Sequence, residues 1–183
     1  MKGKILPPGR VFIEIGGGET PHRSSYIHLD IRAVPGVDIV SDATHLPLAS
    51  GMADEIYAAH LIEHLSYNEG REFLAEVYRV LKVGGRFEVS CPDLVRVTSI
   101  YETVSDLGHK VGRVDQLRSI FYGAQTSKFD FHRSGYDFGL LSHELGNARL
   151  TRIKRLPPTT RYHPNQRPEV RMLYELHVEA FKD

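Results

Sequence analysis

The sequence predicts an α/β protein with a mostly parallel sheet. Short apolar segments rich in Val and Ile recur along the first half of the chain. The first of them, residues 10–15, runs into three consecutive glycines, which indicates a buried parallel strand that ends in a tight turn. Residues 69–82 then place apolar side chains on one face of a helix, and a further strand follows at 86–92.

The first four strands are predicted at 10–15, 25–30, 37–43 and 53–59. Only residues 16–24, with Pro21 among them, join the first two strands, which leaves room for one helical turn at most. Residues 31–36 lead back to the third strand and must be nearly extended, because a chain spans only ~3.3 Å per residue. We therefore predict shortened crossovers in the N-terminal part of the fold.

The second half of the chain has a weaker pattern. The predicted elements are two helices within 94–122, a loop at 123–135, a helix at 137–145, a sixth strand at 150–156 and a last strand at 171–182. A proline- and arginine-rich connection over 157–168 is predicted to be a solvated loop. Gly84 and Gly85 are predicted to end the helix at 69–82. No repeat or linker divides the sequence, so we expect a single domain over residues 1–183.

Composition excludes several classes of protein. Lys plus Arg number 23 and Asp plus Glu number 23, so no net charge attracts nucleic acid or an anionic membrane. Cys91 is the single cysteine of the 183 residues, which excludes an internal disulfide framework and fits a reducing cytoplasm. No apolar segment is long enough for a transmembrane helix or a signal peptide. We expect a cytoplasmic protein with no nucleic-acid or membrane partner.

Acidic residues follow the glycines at the ends of the next two strands. Asp30 ends the second strand, and its two oxygens suit the vicinal hydroxyls of a ribose; Asp42 ends the third. The glycine turn lacks the third glycine of a dinucleotide-binding fingerprint, and Glu19 is a negative charge where a phosphate would lie. These features favour a phosphate-free, cationic nucleoside ligand. Apolar side chains in loop 44–52 are predicted to cover its adenine.

Residues 11–94 resemble the core of class I S-adenosylmethionine-dependent methyltransferases of the type 11 group. The short loops resemble a compact subgroup of predicted methyltransferases that is often found near polysaccharide-synthesis functions. The matching segments are EIGGGET, HLD, SDATHLPL, AAHLIEHL and RVLKVGGRFEVSCPDL. The resemblance implies a Rossmann-like sheet of order 3-2-1-4-5-7-6 with an antiparallel last strand. It implies S-adenosylmethionine as the cofactor, with contacts from Glu14, Gly16, Gly17, Gly18, Asp30, Ile31, Asp42, Ala43, His60 and Leu61.

Within that set the resemblance assigns different parts of the cofactor to different residues. Glu14 and the three glycines surround the methionine part, Asp30 holds the ribose, Asp42 with Ala43 faces the adenine, and His60 lies beside the sulfonium. Methyl transfer to a hydroxyl or protonated amine also needs a base, and histidine suits that role near neutral pH. His64 and His60 are the candidate catalytic residues. His132 and Tyr101 are predicted to approach the acceptor from the C-terminal half.

The predicted function is methyl transfer from S-adenosylmethionine to a small-molecule or glycan acceptor, at oxygen or nitrogen. One alternative is a noncatalytic module that binds the same cofactor. A second is a zinc hydrolase, because His60-x-x-Glu63-His64 matches the H-x-x-E-H pattern of a class of zinc proteases. We assign no metal ligand. Binding of a divalent ion by Glu63 and His64 remains an alternative, since a similar Glu-His pair binds metal in relatives that methylate phenolic quinone precursors.

Overall fold

A seven-stranded sheet in the order β3-β2-β1-β4-β5-β7-β6 is the centre of the fold. The computed structural model describes residues 9–19, 25–106, 111–157 and 174–183. The strands are β1 Phe12–Ile15, β2 Ile27–Asp30, β3 Ile39–Val40, β4 Ala53–Ala59, β5 Leu81–Pro92, β6 Thr151–Arg155 and β7 Glu175–Phe181. The first five strands pair in parallel, and β7 pairs antiparallel with both β5 and β6. The predicted Rossmann-like order and the antiparallel last strand are confirmed.

The N-terminal crossovers are short, as predicted. No helix lies in the described residues between β1 and β2 or in the connection between β2 and β3. The strand predicted at 37–43 is shorter, with two residues, although Asp38 N and Ser41 N on either side of it still donate to carbonyls of β2. Side-chain contacts supplement this pairing. Asp38 Oδ2 accepts a hydrogen bond from His28 N at 2.8 Å, and Asp42 Oδ1 accepts one from Thr44 N at 2.9 Å.

Within the described residues, four α-helices and one short 3-10 helix flank the sheet. They are the 3-10 helix Ile62–His64 and the α-helices α1 Tyr67–Val80, α2 Leu94–Asp106, α3 Val111–Tyr122 and α4 Phe138–Asn147. The helices predicted within 94–122 and at 137–145 are confirmed. Helix α1 buries Phe73, Leu74, Val77 and Val80 against the sheet, which is the apolar face that the sequence pattern indicates. No helix in the described ranges is long and apolar enough to span a membrane.

The predicted glycine cap of α1 is wrong. The helix ends at Val80, and the next residue, Leu81, already pairs with Ala53 in β5. Leu81 is fully buried, so its packing draws the chain into the sheet before the glycines are reached. Gly84 has φ of +80° and lies within β5, where the pairing with β4 shifts register. The glycines thus form an irregularity in the strand rather than the end of a helix.

Loop 44–52 also differs from its prediction. Leu46 is buried in the main core, and Leu48 and Met52 pack against that core, so these side chains do not cover a ligand. Helix α1 fixes the loop, because Arg79 donates hydrogen bonds to the carbonyls of Leu46 and Leu48 at 3.1 and 2.7 Å. Several predicted features lie outside the described residues: the lead-in at 1–8, Pro21, the connection from residue 158 onward and the start of the last predicted strand at 171–173.

A capping box begins α1. Ser66 Oγ accepts from Glu69 N at 3.4 Å, and Ser66 N donates to Glu69 Oε2 at 2.7 Å. These bonds, together with Arg133, lower the pKa of Glu69 to about 2. The folded-state pKa is therefore below the ordinary value of 4.5. The carboxylate thus stabilises the fold above that value, and its contribution is lost as pH falls toward the folded-state pKa.

We expect Glu69→Gln to lower the urea midpoint at pH 7 and to have a smaller effect as the pH approaches 3. Unfolding by urea, followed by circular dichroism at several pH values, measures this difference. Glu72→Gln is the matched control, because Glu72 is an exposed acid on the same helix. A difference between Glu69→Gln and the native protein that stays constant with pH would contradict the capping account.

Candidate active site

A cleft of about 330 Å³ opens at the carboxyl ends of β1, β2 and β3. This volume lies within the range typical of small-molecule sites. Seven of the predicted site residues line it: Gly16, Asp30, Ile31, Asp42, Ala43, Leu61 and His64. Open parallel sheets bind ligands at this edge, where the connections diverge. The cleft therefore lies where the strand-tip residues were predicted to meet.

The glycine turn has the backbone conformation that its sequence predicts. Gly16 and Gly18 have φ of +81° and +59°, in the left-handed region that side chains disfavour. Gly16 N donates to Leu29 O at 2.8 Å, which continues the pairing of β1 with β2. Gly18 N donates to Asp30 Oδ2 at 2.9 Å, so the turn folds back over the tip of β2. The turn and the second strand form one rigid corner of the cleft.

Asp30 is buried and held by four hydrogen bonds. Its Oδ1 accepts from Arg32 N and Nε at 2.9 and 3.0 Å. Its Oδ2 accepts from Gly18 N and, at the longer distance of 3.5 Å, from Arg32 Nη2. The hydrogen bond to Asp30 raises the pKa of Arg32. The sequence prediction missed Arg32, although its position two residues after Asp30 suits a local carboxylate contact.

Asp42 and Ala43 form the neighbouring wall of the cleft. Asp42 Oδ1 accepts from Thr44 N at 2.9 Å and from Thr44 Oγ1 at 2.8 Å. Ala43 is buried, with its small side chain against the core. This short polar turn leaves Ile31, Asp42 and Ala43 on a surface that a flat ring can contact.

Glu14 does not line the cleft. Its carboxylate is 1% exposed and lies 3.0 Å from His28 Nδ1 on the adjacent strand β2, where the two residues are in register. Gly17 and Gly18 are also absent from the lining, and the role of Gly18 toward the cofactor likewise stays a prediction. The cofactor-binding roles of Glu14 and Gly17 stay predictions. The partner of Glu14 was missed, since only the pairing of β1 with β2 brings His28 beside it.

The two candidate catalytic histidines face different surroundings. His60 N donates to Ser90 O at 2.8 Å, while its ring lies 3.0 Å from Glu63 Oε1 and 4.0 Å from Glu175 Oε1. The ring therefore faces the 3-10 helix and β7, and His60 is not part of the cleft lining. His64 does line the cleft, and its Nδ1 lies 3.2 Å from Phe131 O.

The two residues predicted to contact the methyl acceptor lie apart from each other. The ring of His132 contacts the ring of His64 edge to face, at 4.8 Å between centroids. Tyr101 is exposed on α2, where it packs against Phe121 at 5.9 Å, and it does not line the cleft. Their roles toward an acceptor stay predictions. The structure brings His132 next to His64 and leaves Tyr101 away from it.

The second wall of the cleft comes from loop 123–135, in which the sequence prediction had assigned His132 alone to the site. Lys128, Phe129 and Arg133 line it. Arg133 Nη1 pairs with Glu69 Oε2 at 2.6 Å, and Arg133 N donates to Glu63 O at 2.8 Å. These contacts fix the loop to the 3-10 helix and α1. The polar and aromatic composition of the loop was the available signal, but composition alone does not identify what a loop contacts.

We expect Gly16→Ala to lower both stability and cofactor affinity. A Cβ at Gly16 would lie 3.1 Å from Leu61 Cβ in the cleft wall, and the positive φ adds strain of about 1–2 kcal/mol. Gly51→Ala is the matched control, because Gly51 has φ of +67° with nothing within 4 Å of the added Cβ. Urea unfolding and ligand calorimetry measure both effects. Equal losses in the two variants would show that the Leu61 contact has no influence.

The family model described as "Methyltransferase domain" matches residues 24–89. The fold resembles a Thermotoga maritima S-adenosylmethionine-dependent methyltransferase described as a possible histamine N-methyltransferase. The two share 17% identity over 98% of this chain and 84% of that one, with a TM-score of 0.59. It also resembles the Burkholderia thailandensis 1,6-didemethyltoxoflavin-N1-methyltransferase, solved with S-adenosylhomocysteine. These two share 14% identity over 95% of this chain and 72% of that one, with a TM-score of 0.58.

A third neighbour is the Haemonchus contortus phosphoethanolamine N-methyltransferase 2, solved with phosphomonomethylethanolamine and S-adenosylhomocysteine. Identity is 12% over 97% of this chain, which spans 50% of the length of that protein, with a TM-score of 0.56. A search of curated proteins finds no match. These comparisons confirm the resemblance to class I methyltransferases and agree with the predicted cofactor.

Proposed function

We propose that the chain transfers a methyl group from S-adenosylmethionine to a small-molecule or glycan acceptor, because its fold and the family match over residues 24–89 are similar to those of class I methyltransferases. The observation that carries the proposal is that Gly16, Asp30 and Asp42 line one cleft at the tips of three adjacent strands. The two carboxylates suit a ligand that has hydroxyl donors and a positive sulfonium.

The binding mode follows from the fixed groups of the cleft. Asp30 accepts from the ribose hydroxyls, and the turn at Gly16 lets the methionine part lie against the backbone. The adenine occupies the surface of Ile31, Asp42 and Ala43. Lys128, Phe129 and Arg133 close the opposite wall, so the acceptor enters between them and His64.

Methyl transfer requires little covalent assistance. The methyl carbon of the sulfonium is electrophilic, so the main requirement is to hold acceptor, carbon and sulfur in line. His64 is the residue we propose to assist, because it alone of the two candidate histidines lines the cleft. Its Nδ1 donates to Phe131 O, which leaves Nε2 with the lone pair that accepts a proton from the acceptor.

A noncatalytic cofactor-binding module is the second candidate. The short crossovers favour it, because they leave no described helix between β1 and β2. The H-x-x-E-H pattern that suggested a zinc hydrolase is not supported, since His60 and His64 have different surroundings and do not form one ligand pair.

Calorimetry with S-adenosylmethionine and S-adenosylhomocysteine tests the proposal, followed by turnover of methyl-labelled cofactor with phenols, amines and sugars. We expect both ligands to bind and label to reach at least one acceptor class. Failure of both ligands to bind would overturn the proposal. Tight binding with no labelled product across the panel would favour the noncatalytic module.

A further inference from the structure

Three ligating side chains meet beside the cleft. One ring nitrogen of His64, one ring nitrogen of His132 and a carboxylate oxygen of Glu63 lie within 4.8 Å of one another. Glu63 and His64 belong to the 3-10 helix after β4, whereas His132 lies in the loop before α4. Ser134 ties that loop to the helix, because Ser134 N donates to Glu63 O at 3.1 Å and Ser134 Oγ donates to Ile62 O at 3.1 Å. The loop that contains His132 is therefore fixed to the 3-10 helix that contains Glu63 and His64.

The hydrogen bonds of the two histidines fix their tautomers. His64 Nδ1 lies 3.2 Å from Phe131 O, and His132 Nδ1 lies 2.8 Å from Ile120 O. A carbonyl oxygen only accepts hydrogen bonds, so each Nδ1 is the protonated nitrogen and each Nε2 has a free lone pair. Metal-binding histidines are oriented in the same way, through the nitrogen that does not bind the metal.

The third group is a buried carboxylate. Glu63 is 1% exposed, and its Oε1 lies 3.0 Å from His60 Nδ1. Its Oε2 has no hydrogen-bond partner among the described residues. A buried carboxylate oxygen without a partner is costly, and a bound cation would satisfy it.

We propose that Glu63, His64 and His132 bind a divalent transition-metal ion, for which Zn²⁺ is the representative. Two imidazoles and one carboxylate are a set of ligands that zinc and related first-row ions accept. Zinc ligands at ~2.1 Å in a tetrahedral arrangement lie about 3.4 Å apart, so the three groups need to move little to close on an ion. The set differs from the H-x-x-E-H pattern, because His132 from the C-terminal half takes the place of His60.

The position of the site suggests its use, and this step rests on the proposed methyl transfer, with Nε2 of His64 as a metal ligand instead of the base. His64 lines the cleft, so an ion bound to it would have its open position facing the acceptor. A divalent ion lowers the pKa of a bound hydroxyl. The hydroxyl proton would leave to solvent, the new O–C bond would form as the C–S bond breaks, and S-adenosylhomocysteine would be released. The acceptor class is then an alcohol or a phenol.

Titration of untagged, chelator-treated full-length protein with Zn²⁺ by calorimetry and with Co²⁺ by visible absorption tests the site. We expect one ion per chain, and a loss of affinity of at least tenfold in His132→Ala and in His64→Ala. His143→Ala is the matched control, since His143 is an exposed histidine on α4 outside the cluster. It should bind the ion as the native protein does.

Two results would overturn the proposal: no stoichiometric ion in the native protein, or the same affinity in His132→Ala as in His143→Ala. Should His132→Ala fail to fold, His132→Gln retains most of the side-chain volume and is held to the same criterion. Calorimetry with S-adenosylhomocysteine on the same metal-free sample separates this proposal from the function. If the cofactor binds and the ion does not, only the metal site fails.

Discussion

Replacing Asp30 with alanine weakens the binding of S-adenosylmethionine by roughly tenfold to 150-fold. The variant removes charge-assisted hydrogen bonding to the ribose, which contributes on the order of 1.5 to 3 kcal/mol in total. It also removes the acceptor of Gly18 N at 2.9 Å, which loosens the turn that faces the methionine part. Calorimetry with S-adenosylmethionine and with neutral S-adenosylhomocysteine measures the loss, and both ligands should lose affinity because both have the ribose.

Asp54→Asn provides the control for the loss of one carboxylate. Asp54 lies at the start of β4, at the opposite end of the sheet from the cleft, where it pairs with Lys82 at 2.6 Å. This variant should change stability and leave cofactor affinity as it is. Unchanged affinity in Asp30→Ala would remove Asp30 from the ribose role, whereas equal losses in both variants would indicate general destabilisation.

Replacing His64 with alanine lowers kcat by about 10²-fold to 10⁴-fold, the range for loss of general acid–base assistance. Cofactor affinity should change little, because the ring lies on the acceptor side of the cleft with Lys128 and Arg133. Turnover of labelled S-adenosylmethionine, measured together with calorimetry, gives the two quantities separately. His143→Ala again serves as the matched control and should keep the native kcat and the native cofactor affinity.

The His64 result also distinguishes a base from a metal ligand. Activity that depends on His64 and survives chelation indicates a base, and activity that is lost to chelation and restored by Zn²⁺ indicates a ligand. Equal reductions of turnover and cofactor affinity would contradict both roles and make His64 a residue that only maintains the loop contact with Phe131.

The parts of the site that the sequence predicted are those that lie on strand tips. The tips of β1 and β2 converge because parallel strands in one sheet end at the same edge, so the turn at Gly16 and the carboxylate of Asp30 meet wherever the strand order holds. Helix α1 was predictable because its apolar face repeats with the helical period. Local pattern and sheet geometry were sufficient for these features.

The parts that it missed depend on contacts between distant segments. Glu14 faces His28 only because β1 and β2 are in register, and His132 reaches His64 only because loop 123–135 docks on the 3-10 helix. His60 was assigned to the cleft from its position after β4. Its positive φ of 50° and its hydrogen bond to Ser90 O turn its ring toward the 3-10 helix and β7 instead. No local sequence signal contains that information.

A crystal structure of the protein soaked with S-adenosylhomocysteine tests the central claim most directly. We predict the ribose hydroxyls within hydrogen-bond distance of Asp30, the adenine against Ile31 and Ala43, and the sulfur directed toward His64. A ligand bound elsewhere, or one whose ribose faces away from Asp30, would contradict the account.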